Sequence, residues 1–273
     1  MKLRLFHIIP ALAAVLLAAC ISEMDTPAAL QQGTFSIELA ADSLTVEVET
    51  RAPRELTDAE AAGYLVTLQQ NGTAIWERKA FNTITQADRT QASGDGYVVT
   101  AEDITADEAE ADNGGWGTKR NAGSSEVFSI TPNHTAHITV PCAMANAGLC
   151  VSFDESFTNY FSEYAVTTDD LRSLKFNATN AAQFDTNNHL TSGSIAYYNT
   201  DANRQHNVDI LITAAAGWDG TLRLIRTVTL HTGKITRLLV KLNSGEPTEG
   251  NISILLITYD DFEETAGEEI ILE

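Results

Sequence analysis

Residues 64–81 read Tyr64-Leu65-Val66-Thr67-Leu68-Gln69-Gln70-Asn71-Gly72-Thr73-Ala74-Ile75-Trp76-Glu77-Arg78-Lys79-Ala80-Phe81, and this stretch decides the fold. Asn71-Gly72 supplies the pair of positive φ angles that a two-residue turn demands, since asparagine tolerates the left-handed region and glycine enters it freely. The apolar and β-branched runs on either side are then the two arms of a β-hairpin.

The same period of two recurs on both sides of the hairpin. Upstream, Phe35, Ile37 and Leu39 alternate with Thr34, Ser36 and Glu38, and Leu44, Val46 and Val48 alternate with Thr45, Glu47 and Glu49. These predict two half-buried strands around an Ala-Ala-Asp-Ser turn. Leu56 to Ala62 has a short helical composition. Downstream, Tyr97-Val98-Val99-Thr100 is a short strand, Val127 to Ile130 another, and Ala136, Ile138 and Val140 alternate with Thr135, His137 and Thr139. Between them, Glu102 to Asp112 holds six carboxylates and leads into Gly114-Gly115-Trp116-Gly117, which reads as a long loop.

Beyond Ala145, Leu149, Val151 and Phe153 open a second series. Tyr164 to Thr168, Leu174 to Ala178, Ser194 to Tyr198, Asn207 to Ala214, Thr221 to His231, Lys234 to Leu242 and Asn251 to Thr258 all read as strands. Phe157, Tyr160, Phe161 and Tyr164 fall at helical spacing, over a length that predicts only a short helix bridging two strands. Thr232-Gly233 predicts a second hairpin, and Ile270-Ile271-Leu272 predicts a chain that ends in a strand. No amphipathic pattern exceeds three helical turns. The expected class is all-β, as two tandem β-sandwich domains of immunoglobulin-like or transthyretin-like type, residues 33–142 and 143–273.

The amino terminus has a different character. Lys2 and Arg4 precede a mostly apolar run from Leu5 to Leu17, and Leu17-Ala18-Ala19-Cys20 closes it. That is a secretory signal ending in a cysteine, too short to span a bilayer, which takes about 20 apolar residues. Residues 1–20 are therefore expected to be removed, and 21–32, without periodicity, to form a tether. Taking 20 from 273 leaves 253 residues, enough for one large or two modest domains. The chain has 17 basic and 37 acidic residues; without Lys2 and Arg4 the balance is 15 minus 37, or −22. Such a charge disfavours nucleic acid, whose phosphates need clustered Lys and Arg.

Residues suited to chemistry are sparse. Of six histidines, His7 lies in the signal, while His134 and His137 stand three apart on a strand and so point to opposite faces. No metal-protease, paired-cysteine, nucleophile-elbow or phosphate-loop motif occurs, so no catalytic residue, metal or cofactor is expected. Cys142 and Cys150 remain once Cys20 is set aside; alternation puts Cys142 on the apolar face with Ile138 and Val140 and Cys150 opposite Leu149, Val151 and Phe153, and both a disulfide and two separate core thiols stay open. Trp116 and Trp218 sit in glycine-rich loops, where an indole either stacks on a sugar ring or plugs the end of a sandwich.

Several segments resemble a known family. They are Gly33-Thr34-Phe35-Ser36-Ile37-Glu38-Leu39, Val48-Glu49-Thr50-Arg51-Ala52, Gly96-Tyr97-Val98-Val99-Thr100-Ala101, and Val140 to Asn146 followed by Val151 to Phe157. Together they look like Bacteroidetes lipoproteins with a domain of unknown function, related to fimbrillin-like proteins. The Leu17 to Cys20 quartet resembles the bacterial lipobox, and Glu23 and Asp25 behind it resemble the surface-export signal of such lipoproteins. Asp42-Ser43-Leu44 resembles their O-glycosylation pattern. The resemblance implies a non-enzymatic protein held in the outer membrane by acyl chains on Cys20. It would face the cell surface or the periplasm, and its partners would be other envelope or fimbrial proteins, or glycans. It also implies processing: in fimbrillins of this kind an arginine-specific protease cuts after an arginine near the end of the first strand region, a position matched by Arg51 and less well by Arg54. An adhesion or fimbria-associated structural role and a glycan-binding accessory role are the two functional expectations.

Overall fold

The computed structural model describes residues 31–42, 53–186, 190–215, 221–243, 252–260 and 263–271. The first half contains β1 (Gln32–Asp42), β2 (Pro53–Glu55), α1 (Asp58–Ala61), β3 (Leu65–Gln70), β4 (Thr73–Ala80), β5 (Thr90–Ala92), β6 (Gly94–Glu102), α2 (Ala106–Ala111), β7 (Asn121–Ser124), β8 (Phe128–Ile130) and β9 (Thr135–Met144). The second contains β10 (Ala147–Phe153), α3 (Glu155–Thr158), β11 (Glu163–Thr168), β12 (Lys175–Asn177), β13 (Gln183–Phe184), β14 (Leu190–Ser192), β15 (Ile195–Tyr198), β16 (Gln205–Ala215), β17 (Thr221–His231), β18 (Ile235–Leu242), β19 (Ile252–Asp260) and β20 (Glu263–Ile271). The protein is all-β, with helices of six residues at most among the described residues.

In the first half nine strands form one sheet in the order β2-β1-β9-β7-β6-β3-β4, with β5 added beside β1 and β8 beside β6. Its core is a single cluster that includes Phe35, Ile37 and Leu39 of β1, Val66 and Leu68 of β3, Tyr97 and Val99 of β6, and Ile138 and Val140 of β9. Side chains from strands so far apart in the order can meet only if the sheet bends over on itself. The β3–β4 hairpin turns on Asn71 at φ 51° and Gly72 at φ 78°, as Asn-Gly predicts.

The second half packs a five-stranded sheet, β15-β10-β18-β19-β20, against a four-stranded one, β12-β11-β16-β17. Leu149, Val151, Leu238 and Val240 of the first meet Val166, Phe176, Ile210, Ile212 and Leu230 of the second in one cluster. Strand β10 is buried along both faces from Ala147 to Ser152. Its other face, at Cys150, lies in a separate small cluster with Met144, Ala182 and Ile235, against which Phe184 and Leu190 of the β13–β14 pair are packed.

Two expectations are corrected. Thr232-Gly233 does not close a hairpin: β17 pairs with β16, whereas β18 pairs with β10 and β19, so the turn carries the chain from one sheet to the other. The acidic stretch from Glu102 to Asp112 is not a loop but contains α2, started by a capping box in which Thr105 and Glu108 satisfy each other's backbone N–H groups. Of the two arrangements left open for Cys142 and Cys150, the structure has separate buried thiols: alternation turns Cys142 into the first core and Cys150 into the small outer cluster. The predicted strand from Leu44 to Val48 lies outside the described residues, as do the signal, most of the tether and the glycosylation-like triplet from Ser43 onward.

Candidate functional site

Two places are candidates for function: the seam between β1 and β9, and a cleft at the foot of that seam.

Strand β1 runs parallel to β9, with eight paired positions from Thr34↔Thr135 to Ala41↔Cys142. Its outward side chains reach across the seam: Thr34 and Thr135 share a hydroxyl hydrogen bond of 2.7 Å, and Ser36 Oγ lies 2.7 Å from His137 Nδ1. Its inward side chains Phe35, Ile37 and Leu39 are buried in the first core. Among the described residues, its far edge pairs with β5 at positions 32–34 and with β2 at positions 40–42. Strand β2 is in turn held by Arg54, whose guanidinium donates to both Glu60 oxygens at 3.0 and 2.8 Å. That contact, followed by the backbone and hydroxyl hydrogen bonds from Thr57, lowers the Glu60 pKa from 4.5 to about 2.

The cleft opens where β1, β2 and β9 end and has a volume of about 660 Å³. Arg54, Glu60, Tyr64, Asp103 and Lys119 from the first half line it together with Arg204 and Lys234 from the second. Burial raises the Tyr64 pKa, with lesser contributions from the charges of Cys142, Asp103 and Glu60. Sequence reasoning does not find this cleft, since Lys119, Arg204 and Lys234 are far apart in the chain and share no motif.

Trp116 is not a free platform. Its ring meets Phe176 edge-on at 5.0 Å and 88° and packs on the second core, which is the plug arrangement. The surrounding loop is tied down from the second half: Tyr197 N donates to Trp116 O at 2.8 Å, and Arg172 Nη1 donates to the Gly115 and Tyr197 carbonyls at 3.2 and 2.8 Å. Asn199 Nδ2 reaches Ala106 O and Glu110 on α2 at 3.0 and 2.8 Å. The acidic helix and the tryptophan loop therefore form a clasp between the halves. Cys20, Arg51 and Trp218 lie outside the described residues. Among the described residues no group of three or more His, Cys, Asp or Glu side chains comes together to hold a metal, and Asp170 is occupied as an acceptor for Thr168, Arg172 and Ser173.

The molecule is thus an all-β protein with two cores and a long parallel seam near its amino terminus. The chain belongs to the family described as a domain of unknown function (DUF4493), which it matches over residues 31–273. That span contains all the segments on which the resemblance rested. No curated protein matches it. Among solved structures it is similar to a fimbrial assembly protein from Parabacteroides distasonis, at 11% identity over 86% of this chain and 99% of that one, with a TM-score of 0.43. A candidate cell adhesion protein from Bacteroides eggerthii gives 12%, 84%, 96% and 0.44 for the same quantities. The fimbrial anchor protein Mfa2 from Porphyromonas gingivalis gives 13%, 87%, 83% and 0.29.

Proposed function

We propose that this chain is a non-enzymatic envelope protein, anchored in the outer membrane through acyl chains on Cys20, and that it serves as a fimbria-associated structural or adhesion protein. Its two β-domains span 33–142 and 143–273. The observation that carries this reading is the position of β1. It is an eleven-residue strand paired along β9, and the sequence after it contains Arg51, the residue that matches the processing position of fimbrillins.

Cleavage after Arg51 and departure of β1 would uncover eight paired positions on β9 and the slots of three buried side chains, Phe35, Ile37 and Leu39. Each such side chain stabilises the fold by about 1.5–3 kcal/mol, so their loss removes roughly 5–9 kcal/mol, comparable to the whole stability of a typical domain. The cut form would therefore need a replacement strand, and an open β edge lined by apolar slots is what a strand from a neighbouring molecule fills.

The test is mass spectrometry of assembled surface material. A chain beginning at residue 52 supports the reading; assembled material containing only chains that begin at Cys20 removes the processing step. Anchoring is tested separately, because Cys20→Ala should shift the product out of the detergent phase, and durable attachment needs more than one acyl chain.

A further inference from the structure

The cleft at the foot of the β1–β9 seam concentrates positive charge on a chain that is otherwise strongly negative. The sequence carries 17 basic and 37 acidic residues, a net of −20. Four basic residues line the cleft, Arg54, Lys119, Arg204 and Lys234, against two carboxylates, Glu60 and Asp103, a local sum of +4 − 2 = +2. Both carboxylates are engaged by protein donors. Glu60 accepts from Arg54 at 3.0 and 2.8 Å, and Asp103 accepts from the backbone N and side-chain Nδ2 of Asn121 at 2.9 and 2.7 Å. Lys119, Arg204 and Lys234 arrive from three separate segments: the stretch after Trp116, the turn before β16, and the turn between β17 and β18. Lys119 and Lys234 also have partners within the protein.

We propose that this cleft binds an acidic saccharide, a sugar bearing a carboxylate or a sulfate. The charge argument comes first: on a chain of net −20, a lining with more basic than acidic residues favours an anion over the rest of the surface. Size comes second. A volume of about 660 Å³ lies within the range of small-molecule sites, roughly 300–1,000 Å³, and holds roughly two sugar rings; a bare phosphate or sulfate ion would leave most of it empty. The lining is also mixed, with Leu56, Tyr64 and Met144 beside the charged groups, and a sugar presents apolar C–H faces as well as hydroxyls. This site goes beyond the structural role proposed above and does not depend on cleavage at Arg51.

The experiment is calorimetric titration of the full, uncleaved chain at low salt with four probes: a chondroitin sulfate disaccharide, a galacturonate trimer, neutral maltotriose and sodium sulfate. The charged saccharides should bind, maltotriose should not, and sodium sulfate should bind at least ten-fold more weakly than either charged sugar. The double variant Arg204→Gln/Lys234→Gln should lose ten-fold or more in affinity, and raising the salt should weaken binding further. Lys175→Gln, an exposed position of strand β12 outside the cleft lining, should bind as the parent does. Thermal melts establish that each variant is folded, and Arg204→Glu alone, at an exposed turn, serves if the double variant is not. Absence of binding by either charged sugar overturns the proposal, as does equal binding of maltotriose or affinity unchanged in the folded variants. Sodium sulfate binding as tightly as the sugars overturns the saccharide assignment. Processing at Arg51 is scored by mass on the same sample, so the two proposals succeed or fail separately.

Discussion

At the residue scale the most decisive local event is burial of the two thiols. Burial, aided by the nearby charge of Asp103, pushes the Cys142 pKa to about 12. Burial also pushes Cys150 to about 12, with Arg237 pulling slightly the other way. At neutral pH both thiols are then held protonated, and the thiolate is the reactive species. Iodoacetamide should label neither residue in the folded protein and both after denaturation; rapid labelling of the native chain would contradict their placement. Glu60 illustrates the opposite shift. Its pKa falls from 4.5 to about 2 through Arg54 and Thr57, so the unfolded chain binds the proton first as pH drops. The contribution is fully present above about 4.5 and is lost as pH falls towards 2. Glu60→Gln should flatten the decline in melting temperature between pH 5 and pH 2, read by calorimetry. The facing of Cys142 and Cys150 was legible from strand alternation, but which core each face meets was not, because that depends on strands a hundred residues away.

Elements were legible where the signal is local. Asn71-Gly72 specifies the turn and the first pairs of its hairpin, Gln70↔Thr73 and Gln69↔Ala74, beyond which the register shifts at Leu68 and again before Val66. Thr232-Gly233 misleads because turn chemistry says that the chain changes direction and nothing about which sheet the next strand joins; β18 joins β10 instead, in parallel register from Gly148↔Ile235 to Phe153↔Val240. Strand β7, Asn121-Ala122-Gly123-Ser124, has no apolar alternation and could not be seen. Gly123 is needed there, as a Cβ would land on the Pro141 carbonyl of β9. The helix α2 had a readable signal in Thr105-Ala106-Asp107-Glu108, a capping box masked by the acidic composition around it. Thr105→Ala should cost about 1 kcal/mol, and Trp116→Ala about 3 kcal/mol. Urea titration should show the larger loss for Trp116→Ala, concentrated in the second core where the indole packs against Phe176. A loss of less than about 0.5 kcal/mol for Trp116→Ala would mean that the clasp contributes little.

At the scale of the whole molecule the all-β class followed from the period of two alone, while the bent nine-stranded sheet, the clasp and the cleft did not. Each of these is made by residues that meet only after the chain has crossed between sheets, and single-chain patterning carries no record of such meetings. The parallel pairing of β1 with β9 has a mechanical meaning as well. A tug on the chain ahead of Gln32, resisted by the body that follows Met144, pulls the two strands lengthwise in opposite directions. The eight rungs between Thr34↔Thr135 and Ala41↔Cys142 then bear the load together instead of tearing one by one. In single-molecule stretching from the two ends, the first half should hold to a high force and then give way in a single step. A gradual, low-force extension would show that the rungs were being peeled. A molecule tethered by its front end in flowing liquid would, by this arrangement, grip hardest along the line on which it is dragged.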